Sequence, residues 1–168
     1  MKGNNYLMDK KQDFVQVIKS NEGIIYKITA VYSSNVEDQK DLYQEIVYQL
    51  WKSYDSFRGE AKISTWIYRI ALNTSIAHIN QEKKRGDALP IDFELLNIAS
   101  EHDVVTEERF NLLYAAIKKL SSTEKGIILL FLEGNSHEEI AAITGFTKTN
   151  IGTRLGRIKE KIRSQIKL

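Results

Sequence analysis

Seven polar residues near the C-terminal end stand at helical intervals: Lys148, Thr149, Asn150, Thr153, Arg154, Arg157 and Lys161. Side chains of these types hydrogen-bond phosphate oxygens and the donor and acceptor groups that bases present in the DNA major groove. Charge is concentrated in the same stretch. From Gly145 to Leu168 there are seven Lys or Arg residues and one acid, Glu160, in a chain whose formal net charge is only +2. A nearly neutral protein that gathers cations on one terminal helix presents them to an anion. An ordinary helical hairpin with a solvated basic face is the plainer explanation, and this asymmetry weighs against it. A second stretch, FRGEAKISTWIYRIALN, interleaves Phe57, Trp66 and Tyr68 with Arg58, Lys62 and Arg69, and ends at Asn73. Aromatic faces that stack on bases, beside cations that hold the backbone, suit single-stranded nucleic acid. Core packing competes for Trp66, because Ile63, Ile67 and Ile70 share its neighbourhood.

Catalytic chemistry has little to draw on. His78, His102 and His137 lie far apart, without a paired carboxylate at metal-ligand spacing, and no glycine-rich phosphate-binding pattern occurs. The absence of Cys excludes disulfides, thiolate metal sites and a Cys nucleophile. The expectation is therefore a chain that is no enzyme and has no cofactor or metal.

The basic residues need a scaffold, and the flanking sequence supplies one. Ser136 with Glu139 forms a capping box that opens a helix carrying Ile140, Ala141 and Ile143. Gly145 supplies the left-handed conformation that ends it, and Thr147 caps the next helix. In that helix Ile151, Leu155, Ile158 and Ile162 recur as a buried stripe, which turns the cations outward. Ala141, Gly145 and Ile151 have the spacing of a helix-turn-helix, and Ser136 joins its DNA-facing set. Upstream, residues 1 to 12 read as frayed, and one helix runs from Phe14 to about Tyr32 with a weak point at Gly23. A second carries Leu42, Ile46, Val47, Leu50 and Trp51, and a third runs from about Ser64 to Gln81. The loop between them holds Gly59, and Lys83, Lys84 and Arg85 close this half. Between Gly86 and Glu108 there are seven acids and no Lys or Arg, the signature of a linker. Beyond it a helix opens near Thr106, and Ser121 with Glu124 caps another that stops at Gly134.

At 168 residues, with 42% hydrophobic and 27% charged content, the chain is globular and allows one ordinary domain or two small ones. A single Pro and scattered Gly argue for an all-α fold. No run approaches the roughly 18 apolar residues of a membrane span, and the N-terminus lacks the apolar core of a signal peptide, so the cytoplasm is expected.

Three segments, in order, resemble the extracytoplasmic-function group of the sigma-70 family. DQKDLYQEIVYQLW, from Asp38 to Trp51, resembles the family's core-polymerase-binding motif. FRGEAKISTWIYRIALNT, from Phe57 to Thr74, resembles the segment that opens and reads the minus-10 element. Leu120 to Ile162 resembles the region whose helix-turn-helix reads the minus-35 element. The resemblance implies two small helical domains, 1–86 and 108–168, joined by an acidic linker at 87–107. It implies binding to RNA polymerase core through Asp38, Asp41, Leu42, Gln44, Glu45, Tyr48 and Trp51. Minus-10 contacts would come from Phe57, Arg58, Lys62, Trp66, Tyr68, Arg69, Asn73, Lys83, Lys84 and Arg85, and minus-35 contacts from the helix-turn-helix residues named above. An anti-sigma protein is a common partner in the family, and no segment here demonstrates one. Two departures stand out: Ser121 caps where the family has proline, and Gly152 replaces an expected Lys. A transcription regulator acting without replacing sigma, or a helical protein that binds only proteins, are the alternatives. Binding to a palindromic duplex without polymerase would mark the first, and absence of salt-dependent DNA affinity the second.

Overall fold

Asn21 departs from the expected plan of one helix from Phe14 to about Tyr32. It breaks the N-terminal helical run, its side chain turning back to the Val17 carbonyl at 2.8 Å. The computed structural model describes residues 2–85 and 104–166, and among them there are eight α-helices, one short 3-10 turn and no strand. They are α1 (Lys2–Ser20), α2 (Glu22–Tyr32), α3 (Val36–Ser53), the turn Tyr54–Ser56, α4 (Ile63–Arg85), α5 (Val104–Lys118), α6 (Ser122–Leu132), α7 (His137–Thr144) and α8 (Lys148–Gln165). The all-α expectation holds. Further boundaries differ from expectation, and α4 runs on to Arg85 against an expected end near Gln81. Residues 2 to 12 belong to α1, whose Phe14 sets its ring edge-on to Trp51 at 5.1 Å and to Tyr54 at 5.2 Å. The helix after the linker begins at Val104, so the last residues assigned to the linker are helical. The rest of the linker, including His102, lies outside the described residues.

The last three helices, α6 to α8, start where their capping chemistry says. Both capping boxes, Ser121 with Glu124 and Ser136 with Glu139, are closed in both directions, and Thr147 Oγ1 accepts the Asn150 N–H at 3.2 Å. Gly145 ends α7 at φ +80°, in the left-handed region where a Cβ is costly. The stripe Ile151, Leu155, Ile158 and Ile162 is buried as expected. Each such side chain stabilises by about 1.5 to 3 kcal/mol on burial, so it is this stripe that dictates which face of α8 meets solvent.

The two halves are packed together. Buried residues of α2, α3 and α4 (Ile28, Leu42, Ile67) and of α5 to α8 (Ile117, Ile127, Ile140, Leu155) belong to one hydrophobic cluster. Across the seam, α6 lies on α2 and α4, and α7 lies on α4. Gly126 makes this possible: a Cβ there would sit 3.2 Å from Tyr32 Oη and 3.3 Å from Leu72 Cδ2. The Tyr32 hydroxyl donates to the Ser122 carbonyl at 2.5 Å. Burial holds that phenol far above its ordinary pKa, so it remains a donor.

Candidate nucleic-acid interface

The outer face of α8 is built as its spacing requires. Lys148, Thr149, Asn150, Thr153, Arg157 and Lys161 are exposed and Arg154 is half-buried. Together with Thr147 and Glu124, all of these but Lys148 line one open groove of about 710 Å³. Arg154 is held in place before any ligand arrives. Its Nε donates to Asn150 Oδ1 at 2.5 Å, and its guanidinium lies 4.4 Å from the centre of the Phe146 ring. Phe146 follows the turn glycine directly, a position that periodicity alone does not single out. Lys161 reaches Glu124 Oε1 at 2.5 Å, and Lys148 pairs with Glu138. Burial raises the Glu124 pKa, but the bonds from Lys161 and Ser121 outweigh it and hold the carboxyl below its usual range. Ser136 is exposed, with its hydroxyl committed to capping α7. The two glycines of α8 part ways. A side chain at Gly156 would meet open space, whereas one at Gly152 would stand 3.7 Å from the His137 ring, so Gly152 faces α7.

The aromatic-and-cation stretch divides between α4 and the loop before it. Phe57 and Trp66 are half-buried against each other at 5.1 Å, and Tyr54 follows at 6.2 Å. With Ser56, Arg58, Glu60, Ala61, Thr65 and Arg69, Phe57 and Trp66 line a depression of about 400 Å³. Arg58, Lys62, Arg69 and Asn73 are exposed. Gly59, at φ +73°, turns the loop. Tyr68 departs from its expected place beside Arg69 and Asn73. It is 5% exposed, and its hydroxyl points to Glu133 of the other half at 3.3 Å, because one helical step separates its side of α4 from that of Arg69. Lys83 and Lys84 are exposed near the end of α4, and the Arg85 side chain lies outside the described set. Lys83 stands near the second half: burial, with Lys118 and then Lys83 as like charges, brings the Lys125 pKa down to about 8.

On α3 the expected polymerase-facing set is reduced. Asp41, Gln44, Glu45 and Tyr48 are exposed on adjoining rows, Tyr48 at 56%. Leu42 is fully buried in the core and offers no surface. Trp51 is half-buried beneath α1, with Lys10 Nζ 4.8 Å from its ring centre. Asp38 is tied down locally, accepting from the Ser34 N–H at 2.7 Å and bonding His78 Nε2 at 2.6 Å.

That last pair corrects the sequence-based view of His78. It has a carboxylate partner in Asp38 and a second, Glu82, at 3.7 Å and one helical turn away, and the donor atoms of all three lie within 4.8 Å of one another. The His–Glu spacing is visible in the sequence; the Asp38 approach is not. The bond to Asp38 raises the His78 pKa, against an opposing effect of burial. Burial raises the Asp38 pKa, but His78 and Ser34 outweigh it and lower it. A raised histidine pKa stabilises fully below its unfolded value, about 6.5, and the gain is lost as pH rises through the folded value. A lowered aspartate pKa stabilises above about 3.9 and is lost as pH falls through the folded value. The pair therefore contributes most between roughly pH 4 and 6.5. Urea midpoints of the native chain and His78→Ala should differ more at pH 5.5 than at pH 8. An equal difference at both would mean that the pair is not an ion pair.

Known proteins match these features in the same order. Residues 17–85 match the family model Sigma-70 region 2, and residues 110–162 match Sigma-70, region 4. Among curated proteins, the ECF RNA polymerase sigma-E factor of Haemophilus influenzae is 29% identical over 94% of this chain and 89% of its own length. That of Escherichia coli K12 is 29% identical over 84% of this chain and 81% of its own. Two solved structures share the fold. The sigma factor RpoE from Bartonella quintana, in complex with the anti-sigma factor NepR, aligns with TM-score 0.71 and 20% identity over 95% of this chain and 98% of that one. CnrH, in complex with the cytosolic domain of CnrY, aligns with TM-score 0.64 and 18% identity over 92% and 87%.

Proposed function

Since the chain belongs to the sigma-70 family, in its extracytoplasmic-function group, we infer that it binds RNA polymerase core and directs initiation at promoters, with no active site of its own. The observation that carries this reading is the pairing of both promoter-reading regions, in order, with a recognition helix whose outer face is polar and basic. The work divides at 1–86, 87–107 and 108–168. α8 enters the minus-35 major groove, with Asn150 and Arg154 toward base edges and Lys148, Arg157 and Lys161 toward phosphates. Phe57, Arg58 and Trp66, around their depression, take a base extruded from the minus-10 strand, while Lys62, Arg69 and Asn73 follow its backbone. No helix among the described residues is long and apolar enough to cross a membrane, which suits work on the cytoplasmic polymerase. The two solved structures named above are complexes, one with the anti-sigma factor NepR and one with the cytosolic domain of CnrY, and a protein partner of that kind is expected here.

Core binding is assigned to the exposed row Asp41, Gln44, Glu45 and Tyr48. Asp41→Lys with Glu45→Lys should abolish co-purification with core polymerase at unchanged helicity. Undiminished co-purification would remove the assignment.

A further inference from the structure

We propose that Asp38, His78 and Glu82 form a binding site for a divalent transition-metal ion, zinc(II) by its donor set, which pins the start of α3 to the C-terminal half of α4. One donor atom from each side chain lies within 4.8 Å of the other two. Both carboxylates converge on a single atom. Asp38 Oδ1 stands 2.6 Å from His78 Nε2, and Glu82 Oε1 stands 3.7 Å from the same nitrogen. That nitrogen carries at most one hydrogen, and the shorter contact takes it. A divalent ion in its place serves all three groups at once.

The frame holds the ligands in place. His78 and Glu82 are one turn apart on α4, the spacing at which two side chains of one helix reach the same ion. The Asp38 side chain is only 9% exposed. Its other oxygen accepts from the Ser34 N–H at 2.7 Å and from the Ser34 hydroxyl at 3.1 Å. Hydrogen bonds to the far side of a ligating carboxylate fix its direction and tune the ion's affinity. Around a tetrahedral zinc ion, with bonds of about 2.0 to 2.1 Å, donors stand about 3.4 Å apart. Asp38 and His78 therefore separate slightly, and Glu82, 31% exposed, swings in. Water completes the fourth position. An open groove of about 500 Å³ reaches His78, and Asp41 and Glu45 along it give an approaching cation a negative path. The donor chemistry selects the ion. One imidazole with two carboxylates and no thiolate suits zinc, whereas copper(I) favours sulfur and magnesium favours oxygen alone.

The full-length chain, stripped with a chelator, is titrated with zinc sulfate by calorimetry. One zinc ion per chain should bind with micromolar affinity or tighter and raise the thermal midpoint, since it binds the folded state alone. Magnesium should give no comparable response. Ser34→Ala, which removes one of the two outer hydrogen bonds to Asp38, should weaken zinc binding by about tenfold. Glu82→Gln keeps a good helix former on a partly exposed position and should weaken it by more than that, as should His78→Ala. Cobalt(II) in place of zinc should give the strong visible absorption of four-coordinate geometry, lost in Glu82→Gln. His102→Ala and His137→Ala should bind zinc as the native chain does. Unchanged affinity in Glu82→Gln and His78→Ala, or affinity lost instead in His102→Ala or His137→Ala, places the ion elsewhere and overturns the proposal. Zinc bound no more tightly than magnesium overturns it as well. Should His78→Ala fail to fold, Glu82→Gln and its cobalt spectrum decide the matter alone.

Discussion

Replacing Phe57 and Arg58 together by Ala is expected to cut transcription from an intact duplex promoter by about 5- to 150-fold, the equivalent of one lost stacking contact at about 1 to 3 kcal/mol. On a template whose minus-10 segment is already unpaired, part of that loss should return. The reason is energetic. A base stacks on Phe57 only after leaving its own stack, unpairing costs a few kcal/mol, and the new contact offsets part of this cost. Arg58 is exposed beside Gly59, and Phe57 rests against Trp66 at the edge of an open depression. The substitution also removes an aromatic pair worth about 0.5 to 1.5 kcal/mol, so helicity and melting have to be recorded alongside. Equal loss on both templates, with a destabilised first half, would return these aromatics to the core.

The second large effect is expected on α8, and it separates two roles. Arg157→Ala should weaken all promoters alike and reduce the salt slope of binding by about one unit, as loss of a phosphate contact does. Asn150→Ala should instead redistribute preference among minus-35 sequences, at about 1 to 3 kcal/mol for the base it reads. Asn150 and Arg154 act as a unit, joined at 2.5 Å, with Phe146 beneath the guanidinium. Phe146→Ala should therefore relax discrimination without removing any DNA-touching group. Competition assays across a minus-35 library read all three. Unaltered preference in every variant would mean that this helix faces something other than DNA.

The helix-turn-helix was legible because its signals are local. Ser136, Glu139, Gly145 and Thr147 dictate backbone geometry within a few residues of themselves, and each behaves as its chemistry demands. The stripe from Ile151 to Ile162 works the same way. What local pattern could not supply is which neighbour a helix face meets. Tyr68 is aromatic and adjacent to exposed Arg69, yet it turns to the seam, because α4 is covered on two sides by different helices. Its apolar residues accordingly point in more than one direction. Leu42 and Trp51 fit a recognition motif and also a core, and only the positions of α1 and α4 decide between them. Asp38 and His78 lie 40 residues apart, and only the packing of α3 on α4 brings them together. Glu133 reads as an ordinary polar residue after a helix; its role at the seam depends on α2 and α4 arriving there together.

The central claim is that this chain gives core polymerase a promoter choice that core lacks. It is tested most directly by transcription with purified core on a pool of genomic fragments, with and without the chain, sequencing the 5′ ends of the transcripts. The account predicts a new set of start sites that appears only with the chain and shares a minus-35 and a minus-10 element at fixed spacing, with Asn150→Ala altering the first and Phe57→Ala with Arg58→Ala suppressing the set. Start sites that do not depend on the chain, together with tight binding of the chain alone to a palindromic duplex, would contradict it.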